Sequence, residues 1–279
     1  MSYDPTKIFL GTAHYCARYR PNYPTALFDY LVARFELGAT TQVVDVGCGT
    51  GQIALGLASR GISVVALDPE PEMLAEANTQ LLRAGLRQQV TLVLGRGEQL
   101  LELVEPPVRV VTFGASFHWM SREVVLHACD RLVDHDGGVV VISSSGSSLP
   151  SNRWQEDSPD GATPEWAKVT AEITRRFLGP QRRAGPDGFY THPEARHEQV
   201  LERSAFSRIE MWRDHITIVR TADEVIGLQF STSFCSPAVL GERKDEFERT
   251  LRDRLRALGQ GDRFVQDYEI EVLCAFRPR

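Results

Sequence analysis

Three glycines at alternate positions follow a short aliphatic run in the stretch VVDVGCGTGQ, residues 43–52. Gly47, Gly49 and Gly51 would let a ligand approach the backbone closely, because no side chain blocks the way and positive φ angles are accessible. The N-terminus of a following helix would present free N–H groups and a positive end, which attract an anionic or polar group. The stretch therefore predicts a ligand-binding loop between a buried strand and a helix.

Three ligand types compete for such a loop. A phosphate loop needs a lysine in the pattern GxxxxGK[ST], and no lysine lies near this stretch. A dinucleotide fold prefers GxGxxG, whereas the spacing here is GxGxG and an acid, Asp45, precedes the first glycine by two positions, which argues against that ligand without excluding it. S-adenosylmethionine, with a ribose diol, an adenine and a zwitterionic methionine end, is the third candidate.

Composition favours a small-molecule partner. The chain has 279 residues and a net charge of −6, without a block of basic residues, so the usual electrostatic footprint of a nucleic-acid-binding protein is missing. No apolar run approaches the roughly 20 residues that span a bilayer, and the N-terminus lacks the pattern of a secretion signal. We expect a cytoplasmic protein, a monomer or a homodimer, with no nucleic-acid or membrane partner.

The cysteines are scattered along the chain and form no CxxC pair, which predicts neither a disulfide framework nor a metal site. They are Cys16, Cys48, Cys129, Cys235 and Cys274. Cys48 lies in the glycine loop, where a small buried side chain is the favoured interpretation and a nucleophile the alternative.

Residues 40–145 alternate between predicted strands and helices. The strands are the aliphatic runs QVVDVG, SVVALD, VTLVLG, VRVVTFG and GGVVVIS, and helices are predicted over 22–36 and in the segments QIALGLASRG, PEPEMLAEANTQLLRAG and SREVVLHACDRLV. Strands that are aliphatic throughout indicate a parallel sheet covered on both faces. Ligands of such sheets lie beyond the carboxyl ends of the strands, near the switch point in strand order.

After residue 144 the alternation of strands and helices is interrupted, and two further strands are predicted near the end of the chain. A stretch rich in Ser, Gly and Pro follows residue 144, helices are predicted in AKVTAEITRRFL, PEARHEQVLERSA and ERKDEFERTLRDRLRAL, and Thr221–Glu224 fits a capping box. SRIEMWRDHITIVRT and YEIEVLCAF read as two last strands. The predicted fold is a doubly wound, Rossmann-like α/β domain with a mostly parallel seven-stranded sheet. It comprises a helical lid (1–38), a core (40–145), a cap insertion (146–206) and a C-terminal part (207–279).

Several motifs in register resemble one family. VVDVGCGTG is similar to the first motif of the class I S-adenosylmethionine-dependent methyltransferases, and VVALDPEPEMLAEA, GRGE (95–98) and GASFHWM (114–120) resemble the motifs that follow it. YRPNYP (19–24) resembles the N-terminal helix of a small-molecule, type 11-like subgroup, and STSFCSPAVLGER resembles that subgroup more loosely. The resemblance covers about residues 10–145, with one departure at Val108-Arg109, where the family often has an acid.

The resemblance implies S-adenosylmethionine as cofactor and a set of residues around it. Asp68 would bond the ribose hydroxyls, since a carboxylate can accept from both at once. Asp45 would order the loop and the methionine amine, and the Arg20 guanidinium fork fits the methionine carboxylate. The implied cofactor residues are Tyr15, Arg20, Asp45, Gly47, Cys48, Gly49, Gly51, Asp68, Pro69, Met73, Gly97, Glu98, Ala115 and Ser116.

The methyl acceptor is less defined. His118 follows a strand end and could accept a proton during methyl transfer, or it could cap a helix or orient Trp119. The expected substrate residues are Tyr19, Phe117, His118, Trp119, Trp154 and Phe234. An enclosed aromatic pocket favours a small, partly apolar acceptor methylated on O, N or C, and the subgroup suggests bacterial specialised metabolism. The alternative is a protein of this fold that binds S-adenosylmethionine without methylating, either a cyclase- or decarboxylase-like enzyme or a regulatory module.

Overall fold

The computed structural model describes residues 4–146 and 163–278, which group into two compact units. The core unit comprises Pro21–Ser143, Pro193–Arg213 and Glu271–Arg279, and the insertion unit comprises Met1–Arg20, Ser144–His192 and Asp214–Ile270. The division into lid, core, cap and C-terminal part stays a prediction.

Seven strands form one sheet in the order β3-β2-β1-β4-β5-β7-β6. The strands are β1 (Gln42–Val46), β2 (Ser63–Asp68), β3 (Val90–Leu94), β4 (Val108–Gly114), β5 (Val133–Gly146), β6 (Arg208–Arg220) and β7 (Phe264–Phe276). β1 pairs in parallel with β2 and β4, and the pairs β2–β3 and β4–β5 are also parallel. The strand order reverses between β1 and β4, so the predicted ligand-binding edge lies at the carboxyl ends of these two strands.

Eleven α-helices lie in the described residues, and most coincide with predicted ones. They are α1 (Ala13–Tyr19), α2 (Thr25–Phe35), α3 (Gln52–Ala58), α4 (Pro71–Arg83), α5 (Leu100–Leu103), α6 (Arg122–Leu132), α7 (Glu165–Leu178), α8 (His197–Glu202), α9 (Ala222–Phe230), α10 (Pro237–Leu240) and α11 (Lys244–Ala257). The short helices α5 and α10 were not predicted, because four residues carry too little periodicity to be recognised.

The segment YRPNYP is not the helix that the resemblance suggested. Tyr19 ends α1, and α2 begins only at Thr25, after Pro24 as its N-cap residue. Residues that precede a proline are disfavoured in the helical region, so Pro21 and Pro24 keep the intervening segment extended. The segment is therefore a connector between two helices.

The apolar core of the core unit includes a helix that the sequence placed in the cap. Val200 and Leu201 of α8 are buried with Phe206 in the same cluster as Phe113 of β4 and Leu126 of α6. Residues 193–206 consequently group with the core unit rather than with the insertion. Loop composition alone could not reveal this, because burial depends on partners about 80 residues away in the chain.

The insertion unit has its own core, built from α7, α9 and α11. Trp166, Phe230 and Phe247 are buried in it. The capping box is confirmed at the start of α9: Glu224 N donates to Thr221 Oγ1 at 3.2 Å, and Thr221 N donates to Glu224 Oε2 at 2.8 Å. These paired bonds satisfy N–H groups that the helix itself leaves unbonded.

Candidate functional site

The three glycines of the loop between β1 and α3 differ in the space around them. Gly47 (φ +67°) leaves no room for a side chain, because a Cβ there would lie 2.6 Å from Ser116 Cβ, and at Gly51 (φ +84°) it would lie 3.2 Å from Ala77 Cβ. Gly49 also has a positive φ, of +54°, yet beyond its two chain neighbours no described atom lies within 4 Å of its Cβ position. Packing thus excludes a side chain at Gly47 and restricts one at Gly51, whereas Gly49 borders a space that a ligand could fill.

Hydrogen bonds connect this loop to the end of β2. Gly47 N and Cys48 N both donate to Leu67 O, at 2.7 and 3.0 Å. Gly49 N donates to Asp68 Oδ2 at 2.8 Å. The loop conformation therefore depends on the strand end that carries the predicted ribose ligand.

Asp68 is the central carboxylate of the site. Its Oδ1 accepts from Glu70 N at 2.9 Å, so both carboxylate oxygens receive a backbone N–H. Burial raises its pKa to about 6, although these two bonds act in the opposite direction. Each carboxylate oxygen has a second lone pair, which leaves Asp68 able to accept from ligand hydroxyls as well.

Asp45 lies within β1 and is 1% exposed. Its Oδ1 accepts from Thr112 Oγ1 at 2.9 Å, while Oδ2 is buried and receives no hydrogen bond of normal geometry from a described residue, although the nearby Ala54 N–H acts to lower the pKa of the carboxyl. Burial raises its pKa to about 7, and the nearby charge of Asp68 adds to the shift. A buried oxygen without a partner is costly, so the site favours a ligand that brings a donor or a positive charge.

The carboxyl end of β4 contributes strained backbone. Ala115 is exposed and has φ +52°, which is rare for a residue with a side chain and typical of functional sites. Its N–H donates to Ile142 O at 2.9 Å, and Ser116 Oγ donates to Val46 O at 2.6 Å. These bonds fix the turn after β4 against the start of the glycine loop.

Tyr23 lies at the candidate site, and the sequence analysis did not name it as a site residue. Its hydroxyl lies 3.1 Å from the position that a Cβ on Gly114 would occupy, at the same strand end. Tyr23 is the second tyrosine of YRPNYP, and it lies in the extended segment before Pro24, the N-cap residue of α2. Its nearness to Gly114 depends on the fold and is not visible in the local sequence.

Five further cofactor residues implied by the resemblance, of which Met73, Gly97 and Glu98 were expected near the adenine, are held mainly by packing. Met73 and Cys48 are buried, Pro69 is half-buried, and burial raises the pKa of the Cys48 thiol well above its usual value. A Cβ on Gly97 would lie 2.8 Å from Met120 Sδ, and Glu98 Oε1 accepts from Ser121 N at 2.8 Å. Glu98 therefore caps the N-terminus of α6, and the adenine contacts of this group stay predictions.

Tyr15, Tyr19 and Arg20 group together in the insertion unit. Tyr15 packs edge-on against Phe230 at 5.2 Å and stacks with Tyr19 at 6.2 Å. Arg20 Nη2 donates to Ser231 O at 2.6 Å, just beyond the end of α9. These contacts explain the residues structurally, and their roles toward the cofactor remain predictions.

The predicted substrate residues have different environments. Phe117 is 1% exposed and packs 4.8 Å from Phe113, which makes it a core residue and not an open wall of a pocket. Phe234 is likewise buried, with the Arg182 guanidinium 5.2 Å from its ring. Trp154 lies outside the described residues.

His118 is half-buried in the short turn Phe117–Trp119 that follows β4. Its ring lies 4.8 Å from that of Trp119 and 6.4 Å from that of His197, the first residue of α8. His197 was not predicted as a site residue, and nothing in the local sequence distinguishes it from the other histidines. The His118 imidazole in the turn after β4 thus has the imidazole of His197, from α8, as a neighbour.

Known proteins resemble this chain in sequence and in fold. A family model described as a methyltransferase domain matches residues 43–137. The uncharacterized methyltransferase Rv3342 of Mycobacterium tuberculosis is 40% identical over 223 residues, which cover 79% of this chain and 75% of that protein. CRG1 of Saccharomyces cerevisiae, whose name assigns it to the S-adenosylmethionine-dependent methyltransferases, is 27% identical over 126 residues, covering 45% of this chain and 43% of that protein.

A solved structure from Anaeromyxobacter dehalogenans, described as a candidate type II methyltransferase, superposes with a TM-score of 0.56. The two chains are 21% identical, with 92% of this chain and 97% of that chain covered, so the likeness concerns the fold. Over residues 4–146 and 163–278, no helix is long and apolar enough to cross a bilayer. The same residues contain no group of three or more His, Cys, Asp or Glu that could hold a metal ion.

Proposed function

Because the chain belongs to the S-adenosylmethionine-dependent methyltransferases, we propose that it methylates an oxygen, nitrogen or carbon atom of a small, partly apolar molecule. It is a methyltransferase enzyme, and its cofactor is S-adenosylmethionine. The observation that supports the cofactor site is the open face of Gly49, whose N–H donates to the buried carboxylate of Asp68.

The residues present fit this cofactor. When bound, S-adenosylmethionine supplies a methyl group on a positively charged sulfur. The unpartnered Oδ2 of Asp45 suits the amine of its methionine end, and the remaining lone pairs of Asp68 suit its ribose hydroxyls. Two carboxyl groups with raised pKa values also favour a cation, because a positive charge stabilises their ionised form.

His118 is the residue that we propose to accept a proton from the methyl acceptor. It lies in the turn that follows β4, at the edge of the sheet where ligands of this fold bind. A base is needed only if the nucleophile carries a proton with a high pKa; otherwise alignment and the exclusion of water suffice. Trp119 and Tyr19 are proposed to contact the acceptor.

The charge of the chain and its resemblance to a subgroup bear on the setting of the reaction. The net charge of −6 supports a small-molecule acceptor rather than nucleic acid. The resemblance to the small-molecule subgroup supports a role in bacterial specialised metabolism. We propose a cytoplasmic monomer or homodimer that acts without a membrane partner.

Calorimetric titration with S-adenosylmethionine and with S-adenosylhomocysteine tests the cofactor site. Methyl-labelled S-adenosylmethionine is then incubated with the protein and phenols, amines, carboxylic acids or activated carbon acids. We expect micromolar binding of both ligands and a labelled product, with turnover lowered by H118A by about 100-fold, a typical general-base contribution. H127A changes an exposed histidine of α6 and is the matched control.

Two results would contradict this proposal. A folded protein that binds neither ligand lacks the cofactor site. Binding without transfer of label to any acceptor class would favour the alternative, a protein of this fold that uses the cofactor without methylating.

A further inference from the structure

Arg220 is a buried cation of the insertion unit, and its described partners are all uncharged. It ends β6 and is 4% exposed. Its Nε donates to Gln266 Oε1 at 2.5 Å, its Nη1 to Tyr19 O at 3.0 Å and its Nη2 to the Tyr268 hydroxyl at 3.4 Å. None of these partners is a carboxylate. Buried charges are ordinarily paired, because an isolated charge is costly away from water.

A second guanidinium lies close to the same tyrosine. Arg20 donates to Ser231 O at 2.6 Å and packs 5.2 Å from the centre of the Phe9 ring, and it too has no carboxylate among its described partners. Burial raises the pKa of Tyr268, whereas the charges of Arg220 and Arg20 act to lower it, so both cations are near its hydroxyl. Two positive charges thus surround one buried group without a described counter-charge.

Hydrogen-bond donors are in excess in this cluster. Gln266 of β7 is fully buried, and because its Oε1 faces Arg220, its Nε2 is the donor end of the amide. That nitrogen makes no hydrogen bond of normal geometry with a described residue, although it acts to lower the pKa of Tyr268. A guanidinium has five N–H donors, and Arg220 uses three in the bonds above. Buried donors without acceptors favour an acceptor that the chain itself does not supply.

We propose that this cluster binds a carboxylate of the methyl acceptor as a recognition group. A carboxylate only accepts hydrogen bonds, carries the missing negative charge and matches the planar fork of a guanidinium. Tyr19 and Arg20 are half-buried, so the cluster extends to a part of the insertion unit that solvent reaches. The inference rests on the proposed function, in which Tyr19 contacts the acceptor, and it narrows that acceptor to a carboxylic acid.

A purely structural cluster would respond differently to anions. If Arg220 only joined the ends of β6 and α1, its charge would be balanced by neutral dipoles, and an added carboxylate would not stabilise the fold. If the cluster is an anion site, the free energy of unfolding rises with the carboxylate concentration, because the ligand binds the folded protein. A response to a carboxylate, and not to its uncharged analogue, therefore separates the two roles.

Gln266→Glu supplies a carboxylate from within the chain. The new side chain places a negative charge beside Arg220, so an external carboxylate is no longer required and is repelled. Gln260→Glu adds the same charge at an exposed glutamine of the insertion unit and is the matched control. Arg220→Gln removes the positive charge instead, and tests the same site from the other side.

Benzoate is the probe, because it combines one carboxylate with a ring suited to a partly apolar acceptor. Benzamide is its uncharged analogue of similar shape. Urea denaturation of the full chain is measured at rising concentrations of each compound, with sodium chloride keeping the ionic strength constant. Calorimetry with S-adenosylhomocysteine, in the presence and absence of benzoate, distinguishes the carboxylate of an acceptor from that of the methionine end of the cofactor. Circular dichroism establishes that each variant is folded.

We expect benzoate, but not benzamide, to raise the urea midpoint of wild type and of Q260E. The affinity for benzoate, obtained from the concentration dependence of the free energy of unfolding, should fall at least about tenfold in Q266E and R220Q, as charge-assisted bonds are lost. S-adenosylhomocysteine should bind wild type and Q266E with affinities within about threefold, because the tested carboxylate is not that of the cofactor, and benzoate should not compete with it.

Three results would overturn the inference. Benzamide could stabilise wild type as much as benzoate does, or Q266E could respond to benzoate like wild type. Benzoate could also compete with S-adenosylhomocysteine, which would assign the cluster to the methionine carboxylate. If R220Q does not fold, Q266E and the comparison with benzamide decide. Failure of S-adenosylhomocysteine to bind folded wild type would instead reject the proposed function.

Discussion

Two regions were assigned to the cofactor from sequence, and they differ in what holds them together. In the glycine loop of the core unit, Gly49 N donates to Asp68, and both residues belong to motifs only 19 positions apart. In the insertion unit, Arg20 donates to Ser231 O, 211 positions away. The first region is defined by nearby sequence and the second by a distant partner.

The difference affects how a motif can be interpreted. A strand–loop–helix unit carries its own geometry, because its glycines and the next strand end are bonded to each other. An arginine has no such local constraint, and its contacts depend on which distant carbonyl or carboxylate the fold brings near. The cofactor role of Asp68 is accordingly better supported than that of Arg20.

The largest effect on cofactor affinity is expected when the Asp68 carboxylate, which accepts a hydrogen bond from the glycine loop, is removed. Asp68→Asn retains one acceptor oxygen, so either Gly49 N–H or Glu70 N–H faces an amide group that cannot accept. We expect the affinity for S-adenosylmethionine to fall at least about 100-fold, or about 2.8 kcal/mol, measured by calorimetry. Asp136→Asn, at an exposed acid, should leave affinity unchanged. Binding like wild type by a folded D68N would remove Asp68 from the site.

The same contrast explains how much was predictable from sequence. Strands β1 to β5 and the position of Asp68 were predicted correctly, because aliphatic runs and helix periodicity are local properties. The sequence did not place Tyr23 and His197 near the site, since their positions depend on contacts with the Gly114 strand end and with Arg122. Phe117 was placed correctly after β4 but its side chain turned into the core, which chain position alone does not determine.

The free energy of unfolding should depend on pH through Asp45, the second buried carboxylate of the site, which lies in β1. In the unfolded chain Asp45 ionises near its ordinary pKa of about 4, whereas burial raises the pKa in the folded, ligand-free protein to about 7. The unfolded state therefore holds fewer protons between pH 4 and 7. Asp45 lowers the free energy of unfolding progressively as pH rises through that range, and the loss is complete above pH 7.

Asp45→Asn removes this dependence, because the amide mimics the protonated acid and still accepts from Thr112. We expect urea denaturation to show the variant gaining stability over wild type from pH 4 to 7, with a constant difference above. Cofactor binding near pH 6 should release protons from wild type, seen by calorimetry in buffers of different ionisation enthalpy, and fewer from D45N. If the free energies of unfolding of wild type and D45N changed in parallel with pH, Asp45 would be ionised in both the folded and the unfolded protein.

The smallest effect on cofactor binding is expected in the insertion unit. Arg20→Ala removes the half-buried hydrogen bond to Ser231 O, which follows α9, and the contact of the guanidinium with the Phe9 ring. We expect a loss of about 1 kcal/mol in the free energy of unfolding, by urea denaturation, and less than a threefold change in S-adenosylmethionine affinity.

Arg176→Ala, at an exposed arginine of α7, is the matched control and should change neither quantity. The comparison would fail if R20A weakened cofactor binding as much as D68N while leaving stability intact. Arg20 would then act on the methionine carboxylate, as the family resemblance implies, and its bond to Ser231 would be exchanged for one to the ligand. Loss of stability with retained affinity would instead establish that a distant backbone partner, and not the motif, determines the role of this arginine.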